Sequence, residues 1–147
     1  VAPCEETRGS GGRSAPMTEL TVTTSEHCQF VNIDHAVQRA IEESGVTDGI
    51  CVVFVPHTTA GITINENADP DVVSDMKMVL DRVVPWKGGY DHAEGNSAAH
   101  VKASMMGNSV YVVVRNGRLQ FGTWQSIYFC EFDGPRTRKV WVKIIPG

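Results

Sequence analysis

Three histidines carry the first chemical signal. His57 follows the apolar run Ile50 to Val55 and Pro56, and it leads into Thr58-Thr59-Ala60-Gly61. A side chain at such a strand-to-loop junction is held by the core while it faces a cavity. His92 and His100 lie within Asp91-His92-Ala93-Glu94-Gly95-Asn96-Ser97-Ala98-Ala99-His100. On one helix that separation turns through about 800°, an offset of about 80°, so the two rings share no helical face. They converge only if His92 sits in a loop and His100 on the helix after it. Three neutral imidazoles suit a Zn-like ion with one position open, and they can equally serve as acid and base. Asp91, Glu94 and Glu66 can orient such rings by accepting from the remaining N–H. On spacing alone, three unrelated polar histidines satisfy the same pattern. His27 and His35 sit among ordinary neighbours and read as surface or packing residues.

Other polar groups stand out for their settings. Asn65-Glu66-Asn67-Ala68-Asp69 is a polar run between an apolar stretch and a helix start. A helix N-cap explains Asp69 but not Glu66, which remains a candidate acid, base or ring-orienting group, with Asn65 beside it as a substrate contact. Trp124 and Gln125 follow a hairpin; Gln125 needs a partner if buried, which makes it a candidate for substrate contact. Lys102 and Arg136 have the charge to hold a phosphate, and arginine suits bidentate binding. No phosphate-cradling glycine loop precedes a helix, and no nucleophile elbow supports Ser-His-Asp catalysis.

These side chains must be positioned by the surrounding elements. Leu20 and Val22 alternate with polar neighbours, predicting a half-buried strand with Gln29 to Ile33 as its partner. Asp34 can cap a helix whose inner face carries Val37, Ala40 and Ile41, and Gly45 ends it. Ile50 to Val55 reads as a strand buried on both faces, with Ile62 to Ile64 resuming an extended pattern after Pro56 to Gly61. Asp69-Pro70 starts a second helix, with Val72, Val73, Met76, Val79, Leu80 and Val83 on one face and Pro85 closing it. A loop over Trp86 to Asn96 precedes a short helix, Ser97 to Met106. Val110, Val112 and Val114 alternate before Asn116-Gly117, a hairpin signal. Leu119 to Phe121, Thr123 to Phe132 and Lys139 to Ile145 supply further strands, with Gly134-Pro135 as a turn. The prediction is a single α+β domain, mainly antiparallel and sandwich-like, with two or three helices packed on it.

A length of 147 residues suits one domain with a core of its own. Residues 1–16 are small, polar and Gly/Ser-rich, and read as a disordered leader or a remnant ahead of the domain at 17–147. A net charge of −4, with basic residues in ones and twos, disfavours nucleic acid as a partner. No apolar run is long enough to cross a bilayer as a helix, so no membrane partner is expected. The four cysteines show neither a CxxC pair nor a disulfide-rich spacing, which points to a reducing cytoplasm.

The segment His57-Thr58-Thr59-Ala60-Gly61-Ile62-Thr63-Ile64-Asn65-Glu66-Asn67-Ala68-Asp69-Pro70 resembles the signature of the YjbQ family, also called the secondary thiamine-phosphate synthase family. The resemblance continues through His92, Glu94-Gly95, His100, Lys102, Asn116-Gly117-Arg118-Leu119 and Gly122-Thr123-Trp124-Gln125. It implies a compact α+β domain assembled as a homotrimer, with a histidine site that in some members holds a metal ion. Carried over, His57, His92 and His100 become the ligand or catalytic set. The implied reaction joins hydroxymethylpyrimidine diphosphate to a thiazole phosphate with release of diphosphate. Lys102 and Arg136 would then stabilise the departing anion, and Thr58 and Thr59 would donate hydrogen bonds. Mg2+ suits diphosphate chemistry, whereas three histidines favour a Zn-like ion. Two other functions stay open: a metal-dependent hydrolase of a small phosphoester, and a non-catalytic trimeric module that binds a ligand.

Overall fold

The computed structural model describes residues 17–147; the expected leader, residues 1–16, lies outside the described residues. In chain order these form β1 (Met17–Thr23), β2 (Gln29–Asn32), α1 (Asp34–Ser44), β3 (Gly49–Phe54), β4 (Ala60–Glu66) and α2 (Pro70–Val83). There follow α3 (Ser97–Met106), β5 (Ser109–Arg115), β6 (Arg118–Leu119), β7 (Gln125–Glu131) and β8 (Thr137–Pro146). The strands make a five-stranded sheet, β1-β8-β3-β5-β6, and a three-stranded sheet, β2-β7-β4. Every pairing is antiparallel, so the fold is α+β as the patterning predicts.

Period-two alternation decides the layering. Cys51 and Val53 of β3, Val112 and Val114 of β5, and Val140, Val142 and Ile144 of β8 point inward from the large sheet. They meet Ile62, Ile127 and Phe129 from one face of the small sheet, together with Val37, Ala40 and Ile41 of α1. The opposite face of the small sheet presents Tyr128 and Cys130, which pack with Phe132 against Leu80 of α2 and against Ala99 and Ala103 of α3. The small sheet is therefore a middle layer with a core on each side, which is why β7 is buried from Ser126 to Glu131.

Several local expectations are met. Gly45 closes α1 at a φ of 71°. Asp69 accepts from the Asp71 N–H with Pro70 as the first helical residue, and Asn116 and Gly117 take positive φ in the β5–β6 turn. Others are corrected. Strand β2 pairs with β7, whereas β1 pairs along its whole length with β8. Val31 and Phe30 of β2 serve different cores, a need that only the middle layer meets. Strand β3 is buried on one face only: Cys51 and Val53 are sealed, but Ile50 is 45% exposed. Helix α2 buries Leu80 alone, since only its edge touches the second core. Asp34 begins α1 instead of capping it, and its carboxylate accepts from the Ile127 N–H at 2.7 Å, tying the helix to β7.

Candidate functional site

Three elements bring the cleft residues together. Strand β3 ends at Phe54, and Val55 donates its N–H to the Asn108 carbonyl beyond α3. The chain then passes His57 and Thr58 before β4 begins at Ala60. Across from it, α3 presses its C-terminal end on β4. Ile62 donates to the Gly107 carbonyl, and a Cβ on Gly61 would sit 2.9 Å from that oxygen and 3.0 Å from Met106 Cβ. Only glycine permits this approach without displacement. Between the β3–β4 connection and the helix lies an open cleft of about 490 Å³, lined by His57, Thr58, Ala60, His100, Ala103, Ser104, Gly107 and Asn108.

His57 is held from behind. Its Nε2 accepts the backbone N–H of Lys139 at 2.8 Å. An N–H can only donate, so the neutral ring carries its proton on Nδ1. Burial, helped by the neighbouring Arg138 charge, lowers the His57 pKa and keeps the ring neutral near pH 7. His92 lies in the loop before α3 and stands edge-on to His100 with ring centroids 5.5 Å apart. The chain does fold back as the spacing requires.

Beneath the His57–Ala60 segment lies a buried ion pair. Glu131 at the end of β7 is fully sealed, and Arg138 near the start of β8 is 4% exposed. Arg138 Nε donates to both Glu131 oxygens at 2.9 and 3.1 Å, and its Nη2 donates to Glu131 Oε2 and, at 2.8 Å, to Thr59 Oγ1. Thr24 Oγ1 donates to Glu131 Oε1 at 2.8 Å. Burial alone would raise the Glu131 pKa; the bonds from Arg138 and Thr24 and the arginine charge outweigh it and hold the carboxyl below its usual range. Neither residue stood out in the sequence. The signal was there in the alternation: Arg138 shares its face with Val140, Val142 and Ile144, and Glu131 shares its face with Ile127 and Phe129.

The remaining sequence candidates fall elsewhere. Thr59 Oγ1 accepts from Arg138 Nη2 at 2.8 Å, beneath the cleft and not in its lining. Lys102 is buried on α3 and paired with Asp81 of α2. Arg136 is half-exposed, donating to the Asp133 carbonyl and carboxylate at 2.8 and 2.9 Å. Glu94 accepts from Asn96 Nδ2, which also reaches Asp133. Asn65, Glu66, Trp124 and Gln125 gather at the opposite end of the small sheet, where Glu66 pairs with Gln125 and the Asn67 N–H reaches the Trp124 carbonyl. Six residue steps along β4 carry the chain from Ala60 to Glu66, a span of about 20 Å at ~3.3 Å per residue.

The family profile described as UPF0047 protein YjbQ-like matches residues 18–147. The chain belongs to the YjbQ/UPF0047 family. The UPF0047 protein YugU of Bacillus subtilis is 52% identical over 127 residues, covering 86% of this chain and 96% of that protein. A UPF0047 protein of Methanocaldococcus jannaschii is 49% identical, covering 84% of this chain and 90% of its own length. Among solved structures, a YjbQ/UPF0047 family protein from Clostridium acetobutylicum superposes with a TM-score of 0.85 at 60% identity, covering 87% of this chain and 99% of that one. A YbjQ-like protein from Sulfolobus solfataricus gives a TM-score of 0.85 at 32% identity over 89% and 96% of the two chains. Membership in the YjbQ family carries the fold, whereas the chemistry rests on the cleft's side chains.

A metal centre of the kind implied for some YjbQ members has to fit those side chains. Among the described residues, no three His, Cys, Asp or Glu side chains are grouped to hold an ion. His57 also has its one lone pair engaged by Lys139. The three-histidine centre is thus not assembled within one copy of the chain. No helix among the described residues is long and apolar enough to cross a membrane.

Proposed function

We propose that the cleft between His57 and His100 binds a small phosphorylated heterocycle and promotes the thiamine-phosphate synthase reaction. The observation that supports it is a pocket of about 490 Å³, a size suited to small ligands, in which two imidazoles and a threonine face one another above a buried arginine. In the reaction, the thiazole ring nitrogen gives its lone pair to the methylene carbon of hydroxymethylpyrimidine diphosphate. The carbon–oxygen bond breaks, diphosphate leaves with that electron pair, and the thiazole becomes a cationic thiazolium. No proton moves. The chain's work is therefore positioning and charge stabilisation. His57 offers Nδ1–H to an anionic oxygen, Thr58 offers its hydroxyl, and His100 faces them from the helix. Mg2+ enters as the counter-ion of the diphosphate substrate.

This reading includes a homotrimer in a reducing compartment. Exposed Ile50, Tyr111, Val113 and Ile145 on the outer face of the large sheet favour self-association. Asn65, Glu66, Trp124 and Gln125 lie too far along the sheet to reach a ligand on His57 of their own copy, so they act from a neighbouring one.

The test is incubation of the full chain with both phosphorylated precursors and Mg2+, with thiamine phosphate read by mass. Formation that collapses in a folded His57→Ala variant is expected; an undiminished yield in that variant overturns the site. A phosphoester turned over instead, lost to a chelator and restored by Zn2+, would favour the hydrolase.

A further inference from the structure

Among the described residues, the lining of the cleft contains no Lys, Arg, Asp or Glu. The cations around it are engaged elsewhere: Lys102 with Asp81, Arg136 with Asp133, Arg138 with Glu131 and Lys139 with Glu19. A phosphate group drawn into the cleft would lose water without gaining a cation, which is unfavourable. An uncharged ring meets no such penalty. Ala60, Ala103 and Gly107 give the walls small apolar surfaces against which a flat ring can lie. The polar groups in the lining are imidazoles, hydroxyls and one amide, that of Asn108. Asn108 stands between α3 and β5, and its carbonyl accepts from the Val55 N–H at 2.7 Å, which fixes its main chain. Its side-chain amide bonds to nothing among the described residues. A free amide sets an N–H donor beside a carbonyl acceptor. That pair complements a ring nitrogen beside an exocyclic amino group, the pattern by which asparagine reads adenine.

We infer that the cleft holds the uncharged ring of its ligand and leaves the phosphates outside, and that Asn108 reads the ring edge where an amino group adjoins a ring nitrogen. This deepens the phosphorylated-heterocycle reading and rests on it for the presence of phosphates. In that reading the ring is the aminopyrimidine of the diphosphate substrate. His57 and Thr58, on the β3–β4 connection, then meet only the oxygen nearest the ring. Mg2+ balances the rest of the charge in the open, where the phosphates keep their water. Lys102 and Arg136 take no part.

Titration of the full chain with 4-aminopyrimidine, pyrimidine and inorganic phosphate, read from the His57 and His100 ring signals in NMR spectra, tests the assignment. 4-Aminopyrimidine should move those signals saturably, with a Kd on the order of 1 mM for so small a probe. Pyrimidine lacks the amino group and should bind about tenfold more weakly, the scale of one hydrogen bond; inorganic phosphate should leave the signals in place. Asn108→Ala removes the amide, and Asn108→Asp keeps its shape but turns an acceptor toward the ring nitrogen. Each should lose about tenfold in affinity for 4-aminopyrimidine. Asn108 is exposed, so both variants should fold as the parent does. Affinity within about twofold of the parent in either variant overturns the proposal. So does equal binding of pyrimidine, a saturable response to phosphate, or no response to 4-aminopyrimidine at about tenfold the expected Kd. The two readings fail separately. Ring binding that depends on Asn108, without any thiamine phosphate formation, removes the synthase and leaves the ring site. Thiamine phosphate formation with unchanged kcat and KM in Asn108→Ala removes the ring site and leaves the synthase.

Discussion

The two ends of the β4–β7 ladder are built in opposite ways. At one end Ala60 faces Glu131, and the polar groups there are buried and bonded to one another: Glu131, Arg138, Thr24 and Thr59 form one network under the cleft. At the other end Glu66 faces Gln125, and the side chains there look outward, with Trp124 61% exposed. The side chains of Asn65 and Gln125 there bond only to near neighbours in sequence. Asn65 Oδ1 accepts from its neighbour's N–H, and Gln125 Oε1 accepts from Gly122. Tyr128 ties this end to the strand beneath, donating to Asn67 Oδ1 at 2.8 Å and to the Glu66 carbonyl at 3.2 Å. The difference separates pre-organisation from availability. The buried end is held by its own bonds, while the exposed end has surface to offer another molecule.

The sharpest way to break this comparison is to test whether the ends work together across copies. His57→Ala and Glu66→Ala chains, each inactive alone, should regain thiamine phosphate formation after co-refolding into mixed oligomers. Mixtures as inactive as their parents would mean the exposed end takes no part in the site. Stability offers the next contrast. Glu131→Ala strands the Arg138 charge and should cost about 3–5 kcal/mol by urea unfolding, whereas Trp124→Ala should stay within about 0.5 kcal/mol. Equal costs would erase the distinction between the ends. Thr59→Val removes one acceptor from Arg138 and should cost about 1.5–3 kcal/mol in the same measurement; no change would show that the guanidinium finds another partner.

The smallest effect is in pH dependence. The folded-state pKa of His57 is lowered below the ordinary histidine value of 6.5, so the unfolded chain binds more protons in the window beneath that value. The stability His57 contributes is present above pH 6.5 and is lost as pH falls through the lowered folded value. Glu131, also lowered, acts in the same direction at more acid pH, below the ordinary glutamate value of 4.5. Urea midpoints measured between neutral and mildly acid pH should fall less in His57→Gln than in the parent. Identical slopes would show that the ring is not held neutral by its surroundings.

Much of the fold could be read locally. Gly45, Asp69-Pro70, Asn116-Gly117 and the alternation in β5 and β8 each act over a few residues, and each does in the structure what its chemistry requires. The folding-back of His92 onto His100 was legible for the same reason. Strand partners were not. Choosing β7 over β1 for β2 depended on a second apolar layer contributed by α2 and α3, far along the chain.

The sequence by itself determined where the chain turns, which faces are apolar, the family, and that His57 stands at the end of a core strand. Tertiary structure alone decided which charges meet. Extended β4 carries Glu66 about 20 Å from Ala60 at the cleft end, at ~3.3 Å per residue. Meanwhile the antiparallel meeting of β7, β8 and the β3–β4 connection brings Glu131, Arg138 and Thr59 into one buried network. The physical reason is desolvation. A carboxylate and a guanidinium in apolar strands can be buried only where the fold joins them, and that juncture involves partners 7 and 79 residues apart.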